Sequence, residues 1–226
     1  MKRIAGAARR AIADYNMIKD GDSIAVGISG GKDSMALLAV LSSMQKYLPT
    51  SFSLKAITID MGFESTDYNS VAAYCKDIGV EYILHKTQIS KIVFNVRHET
   101  NPCSLCAKLR KGALNDIAIK NGCNKVALGH HFDDAVETFF LSLFYEARLS
   151  CFYPVAYLDR RDITLIRPLL YVEESDIVNF VKRANLPVLH NECPVDGNTK
   201  REDMKNMLLA LEANESGIKR KIFNAV

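Results

Sequence analysis

The chain has 226 residues, 48% hydrophobic and 24% charged, the balance of a folded globular domain rather than of a fibrous or disordered segment. Its 29 lysines and arginines against 26 aspartates and glutamates leave a net charge of +3, too small to indicate nucleic-acid binding unless the basic residues cluster. No apolar run approaches the ~20 residues of a membrane span, and the basic N-terminus is not followed by a signal-peptide core, so a cytoplasmic protein with no membrane partner is expected.

The N-terminal stretch, about 3–19, spaces its apolar residues as a helix does. "SIAVGI" (23–28) then reads as a strand, followed by a helix near 32–47. "LKAITI" (54–59), "VEYIL" (80–84), "KVALG" (125–129) and "ITLIRP" (163–168) read as further strands. Helical patterns near 66–78, 105–121 and 133–149 lie between them, and two more helices follow, about 173–184 and 199–213. Gly79 and Gly122 stand where helices commonly end on glycine. The strands are continuously apolar rather than alternating, which predicts a parallel sheet buried under helices on both faces. The expected fold is α/β, a doubly wound parallel sheet of about five strands. It is read as one domain over 1–226, with the first helix and the last helices (about 173–213) packed on it. Ligands of such sheets bind beyond the carboxyl ends of the strands.

"SGGKDS" (29–34) follows the first strand and opens a helix, the setting of a phosphate-binding loop. Gly30 and Gly31 let the backbone approach a ligand closely, the helix start offers unpaired N–H groups, and Ser29, Lys32, Asp33 and Ser34 add polar and charged groups. The spacing is neither that of a Walker A loop nor GxGxxG, and the plainer reading is a glycine turn between strand and helix. "LGHHFDDAVETFF" (128–140) follows the fourth strand in the same way. Gly129 and His130 end that strand. Asp133 or Asp134 is expected to cap the next helix or to hold Mg²⁺, and His131 is the weaker candidate of the two histidines. Asp60, at the end of the second strand, would face ribose or metal, or simply close a turn.

Six cysteines (75, 103, 106, 123, 151 and 193) occur without a secretory signal, so metal or redox chemistry is favoured over a disulfide framework. Cys103 and Cys106 form a C-x-x-C at the start of a helix, and Cys193 in "HNECPVDG" lies in a polar loop. Cys75, Cys123 and Cys151 read as buried small side chains. Three thiols suit an iron–sulfur cluster with one iron left open, a Cys3His zinc site using His190, or a bare dithiol.

SGGKDS resembles the signature of the PP-loop ATP pyrophosphatases, which adenylate a substrate oxygen and release pyrophosphate. With "AIADYNMIKDGD", "CSLCAKLRKG", "LGHHFDDAVETFFLSLFYEARL" and "IRPLLYVEESDI", the chain resembles over nearly its whole length the TtcA family of tRNA 2-thiolating enzymes, which install 2-thiocytidine in the anticodon loop. The resemblance implies ATP, Mg²⁺ and a 4Fe-4S cluster held by Cys103, Cys106 and Cys193. It implies nucleotide contacts at Ile28, Ser29, Gly30, Gly31, Lys32, Asp33, Ser34, Ile59, Asp60, Gly129, His130 and Asp134. Catalytic roles would fall to Asp33, Arg110, Lys111, Asp133 and Asp134. The expected partners are tRNA and a sulfur donor such as sulfide or a cysteine desulfurase, and the chain is compatible with a homodimer. A basic track for RNA would draw on Lys2, Arg3, Arg9, Arg10, Lys108–Lys111, Arg160, Arg161 and Lys219–Lys221. The rival expectations are the same adenylating chemistry on another substrate, a metal-binding module, and a zinc-stabilised enzyme using a persulfide.

Overall fold

Six apolar runs pair into one sheet in the computed structural model, which describes residues 2–63, 67–96, 102–189, 193 and 199–226. They are β1 (Asp22–Gly27), β2 (Phe52–Asp60), β3 (Glu81–Lys86), β4 (Lys125–Ala127), β5 (Val155–Leu158) and β6 (Ile163–Ile166), in spatial order β3-β2-β1-β4-β6-β5. Five of them run parallel, as their continuous apolar character predicts. β5 is the exception: it pairs antiparallel with β6, Val155 opposite Ile166 and Leu158 opposite Ile163. Its four half-exposed residues give almost no periodic signal, and the hairpin turns through Asp159–Arg161 with Asp162 at φ 49° rather than through glycine. The sheet therefore has six strands where about five are read from the sequence.

Helices cover both faces. On one side lie α1 (Lys2–Asp14), α2 (Lys32–Met44), α3 (Asn69–Asp77) and α6 (Glu174–Ala184). On the other lies α4 (Pro102–Lys120), preceded by a π-helical turn at Lys91–Val96. α2 is the most deeply placed, with every residue from Met35 to Leu41 buried. That all-round apolar character is what a helix wedged between the sheet and two other helices requires. Beyond the sheet, α5 (Phe132–Glu146) packs with α7 (Lys200–Asn214) and α8 (Ile218–Ala225) around Phe132, Val136 and Leu208. α8 is not foreseen in the sequence. α1 stops short of residue 19 and α5 short of 149 because Asn16 (φ 47°) and Ala147 (φ 53°) turn left-handed.

The strand order reverses at β1. Its neighbours β2 and β4 lead away on opposite sides, and the loops after β1 and β4 face each other across that point. In open α/β sheets this is where ligands bind. Below the crevice, a buried ion pair ties the N-terminal ends of the two strands. Lys125 Nζ lies 2.6 Å from Asp22 Oδ2 and also donates to the Met17 carbonyl at 2.8 Å. Burial alone would raise the Asp22 carboxyl, but hydrogen bonds from Lys125, the Lys19 amide and Asn124 outweigh it and hold it below the ordinary range. The contribution of this group is thus complete above the usual aspartate pKa and is lost as pH falls through the depressed value. Lys125→Met is expected to destabilise the fold by about 3–5 kcal/mol in urea unfolding, because it strands a buried carboxylate. The double substitution Asp22→Asn with Lys125→Met should recover most of that loss at neutral pH, and the two variants should converge in acid, where the stranded carboxyl protonates.

Candidate active site

The loop after β1 is shaped by its own side chains. Ser34 Oγ accepts from the Ser29 amide (3.2 Å) and donates to the Gly31 carbonyl (2.9 Å), while Ser29 Oγ accepts from the Gly31 amide (3.3 Å). The two hydroxyls therefore hold the loop's form rather than standing as open donors. Ile28 anchors its entry, donating its amide to Ile57 across the β1–β2 junction. α2 begins at Gly31 with no side-chain cap. Its first N–H groups are left for a ligand, and Gly30, at φ 82°, turns the chain so that they face the crevice's open end.

Lys32 is drawn to acids on both sides, 3.2 Å from Asp33 Oδ2 and 3.0 Å from Glu174 Oε1. Burial alone would lower the ammonium, but Asp33 and Glu174 outweigh it and raise its pKa. Glu174 also meets Lys205 at 3.0 Å. Burial pushes its carboxyl up, yet hydrogen bonds from Lys205 and Lys32 bring it down to about 2. Asp33 Oδ1, by contrast, is buried with no hydrogen-bond partner, 3.6 Å from His131 Nε2. A carboxylate oxygen left bare in such a place is what a hard cation such as Mg²⁺ would satisfy.

The loop after β4 comes close to this one. A Cβ on Gly129 would stand 3.1 Å from the Asp33 carbonyl carbon and the Ser34 nitrogen. α5 is not capped by Asp133 or Asp134 as the sequence suggests; the cap is His131, the histidine ranked second. Its Nδ1 accepts from the Asp134 amide (3.4 Å), and Asp134 Oδ2 accepts from the His131 amide (3.0 Å), a reciprocal box. Asp134 Oδ1 takes Arg201 at 3.1 Å. Both oxygens of Asp133 are likewise committed, one to the Glu174 amide (2.8 Å) and one to Lys219 (2.9 Å). Asp133 thus fastens α5 to α6 and α8 with both of its oxygens occupied. Asp60 closes a turn, its Oδ1 accepting from the Gly62 amide at 2.9 Å, beside a cavity of about 310 Å³ that it lines with Phe63, Tyr82 and Lys86. Ile59 is buried in the core beneath.

All six cysteines are thiols. Cys103 and Cys106 occupy the first turn of α4, Cys103 exposed and Cys106 partly buried. Burial raises the Cys106 thiol, Arg110 one turn on lowers it, and Cys193 and Cys103 raise it further. Cys106 thus senses both other sulfurs of the predicted trio. After α6 the Leu189 amide donates to the Gly30 carbonyl at 2.9 Å, and a Cβ on Gly30 would lie 2.7 Å from Leu189 Cδ1. Among the described residues no three His, Cys, Asp or Glu side chains gather closely enough to hold a single metal ion. One tetrahedral zinc would need its sulfurs about 3.8 Å apart, whereas a 4Fe-4S cluster gives each cysteine its own iron. The donor set fits the cluster. His190, the fourth ligand of the zinc alternative, lies outside the described residues.

Arg167 and Glu174 escaped sequence reasoning as site residues. Arg167 is buried; its Nε donates to His130 Nδ1 at 3.2 Å and it lies 4.7 Å from the Phe152 ring centre. Burial lowers the Lys111 ammonium, and Arg167 lowers it further, so two cations approach one another. The signal was available: an arginine inside "LIRPLL", an otherwise apolar run at a strand end, needs a reason. The basic track does not survive intact. Arg3, Arg161, Lys219, Arg220 and Lys221 pair with Asp176, Asp116, Asp133, Glu173 and Glu215. Their charge is spent on the fold.

An uncapped helix behind a glycine loop, at the switch point of a doubly wound sheet, with a bare carboxylate beside it, defines a PP-loop nucleotide-binding protein. A family model described as a PP-loop domain matches residues 4–212. The tRNA-cytidine(32) 2-sulfurtransferase of Geobacter sulfurreducens is 40% identical over 100% of this chain and 89% of its own length, and that of Geobacter metallireducens is 39% identical over the same shares. The U34-tRNA thiolase NcsA from Methanococcus maripaludis, solved with its 4Fe-4S cluster, superposes with a TM-score of 0.81 at 23% identity over 99% of this chain and 76% of that one. The chain belongs to the PP-loop family of tRNA-cytidine(32) 2-sulfurtransferases.

Gly30→Ala is expected to fail twice, by forcing a side chain into positive φ, at about 1–3 kcal/mol, and by pushing Leu189 off the loop. Thermal unfolding should fall by several degrees and ATP binding by more than tenfold, as calorimetry would record. Gly6→Ala, in α1 with open space around it, should leave ATP binding unchanged and, if anything, raise the unfolding temperature, since alanine is the better helix former.

Proposed function

We propose that this chain is an ATP-dependent 2-sulfurtransferase acting on cytidine in the tRNA anticodon loop, and that Ser29–Ser34, Asp33 and Cys103, Cys106 and Cys193 carry the reaction. The observation that carries the reading is the uncapped start of α2 behind Gly30 with the unpartnered Asp33 oxygen beside it, in a chain whose Cys103 and Cys106 stand in the first turn of α4. The printed activity of the relatives supports the same substrate.

ATP lies with its phosphates on the Gly30–Gly31 backbone and the open start of α2, and Lys32 shares their charge. Asp33 holds Mg²⁺ through the oxygen that has no other partner. Asp134 keeps His131 and Arg201 in place around it. Ile28, Ile59, Asp60, Gly129 and His130 border the nucleotide. The base O2 attacks the α-phosphorus and pyrophosphate leaves, which turns a poor leaving group into AMP. A sulfur nucleophile then adds to C2 and AMP departs with the oxygen. The three cysteines would hold the 4Fe-4S cluster, which supplies an iron-bound position for sulfur at C2. Arg110 and Lys111 offset negative charge between thiols and phosphates; donors fixed before the reaction stabilise developing charge without reorganising.

Lys2, Arg9, Arg10, Lys108, Arg110, Lys111 and Arg160 remain to meet RNA phosphate once the residues paired within the fold are set aside. No helix among the described residues is long and apolar enough to cross a membrane. In this reading the chain works in the cytoplasm as one domain over 1–226, takes sulfur from sulfide or a cysteine desulfurase, and is compatible with a homodimer.

Anaerobic purification followed by iron, sulfide and zinc analysis tests the cluster: about four irons per chain are expected, and a colourless protein with one zinc refutes it. Cys193→Ala should lose iron and thiolation while still binding ATP. Nucleoside analysis of a deletion strain should show 2-thiocytidine gone; an unchanged profile defeats the tRNA reading. Asp33→Asn is expected to lower the unfolding temperature only slightly, since the ion pair it weakens is half-exposed and Lys32 keeps Glu174, yet to abolish the Mg²⁺ dependence of ATP binding.

A further inference from the structure

His130 stands on the loop between β4 and α5, next to Gly129, whose backbone abuts Asp33 and Ser34. Its Nδ1 faces the Nε–H of Arg167 at 3.2 Å. A guanidinium has donors and no acceptor, so Nδ1 must present its lone pair, and the proton of the neutral ring sits on Nε2.

Everything around the pair holds it in that state. The His130 ring packs on Phe152 with centroids 5.0 Å apart, and the Arg167 guanidinium lies over the same ring at 4.7 Å. Arg167 is further fixed by a bond from Nη1 to the Tyr153 carbonyl and by its amide to the Pro154 carbonyl at 3.1 Å. Among the described residues it forms no ion pair with a carboxylate; its charge is turned on the histidine. The charged groups facing His130 are Asp134 of α5, Arg167 after β6, Arg201 of α7 and the neighbouring His131. Burial pushes the imidazole down most; Asp134 opposes this, while Arg167, Arg201 and His131 add to it, leaving it at about 4. The ring is neutral throughout the physiological range. A histidine so held is a poor base, since its one lone pair is occupied, and a fixed donor.

We propose that Arg167 is a positioning residue of this site: it locks His130 in the Nε2–H tautomer, so that the histidine serves as a neutral hydrogen-bond donor to a phosphoryl oxygen of the bound nucleotide. Arg167 touches no substrate itself. The proposal rests on the nucleotide site described above, but the tautomer is a property of the protein without ligand, so the two can fail separately.

Nitrogen NMR of the full chain labelled in its histidines decides it. The wild type should show, for the ring whose signals vanish in His130→Gln, a protonated Nε2 and a bare Nδ1, unchanged from pH 5.5 to 8. Arg167→Met should release the ring into a mixture of tautomers, still neutral because burial is the larger cause of its low pKa. In the thiolation assay the same variant should lose about 10- to 100-fold in kcat, the usual loss when a histidine's orienting partner is removed. KM for ATP and tRNA should move less than threefold. Arg167→Lys, which can still donate to Nδ1, should recover at least half of the logarithmic loss. A wild-type ring protonated on Nδ1, or charged at pH 7, overturns the proposal even if Arg167→Met does not fold. So does an Arg167→Met protein whose His130 signals match the wild type. Absence of 2-thiocytidine formation by the wild type, with the tautomer as expected, would instead overturn the substrate reading.

Discussion

The close approach of Leu189 to Gly30 is the constraint on which the site depends. At φ 82° the loop turns the first N–H groups of α2 toward the crevice, a conformation that side chains rarely adopt. The missing Cβ also leaves the space that Leu189 fills, and the bond from its amide to the Gly30 carbonyl fastens one segment to the other. A single glycine therefore turns the loop by its torsion and admits Leu189 by its size.

Charge is distributed unevenly around that loop. On one side the acids are consumed internally: Asp133 by the Glu174 amide and Lys219, Asp134 by His131 and Arg201, Glu174 by Lys32 and Lys205. Among the carboxylates of the described residues, Asp33 keeps a buried oxygen without a hydrogen-bond partner. On the other side Arg167 and Lys111 are cations whose pKa values are each lowered by burial. A polyanionic ligand between the two would meet one open metal position and several unneutralised donors. Because these charges are held by the fold, they stand ready before the ligand arrives.

The motif-bearing parts were legible because their signals are short. SGGKDS after an apolar strand and before a helix gave the phosphate loop, and C-x-x-C gave two of the thiols. β5 was not legible, because four half-exposed residues at a sheet edge carry neither a continuous nor an alternating pattern and their turn lacks glycine. Asp133 and His131 were misassigned for a related reason. Sequence gave both as polar residues at a helix start, and which of them caps the helix depends on the backbone of His131 being extended there.

By itself the sequence determined the order of the five parallel strands and of the helices up to α7, the phosphate loop and the residue types available for metal and sulfur, since each follows from residues within a few positions of one another. Tertiary structure alone decided which distant groups meet: Leu189 on Gly30, Cys193 near Cys106, Arg167 on His130, Lys219 on Asp133. Those contacts join segments that only the closing of the sheet brings together. Burial then sets which oxygens and nitrogens are left over for a ligand, and no local pattern of residues records that.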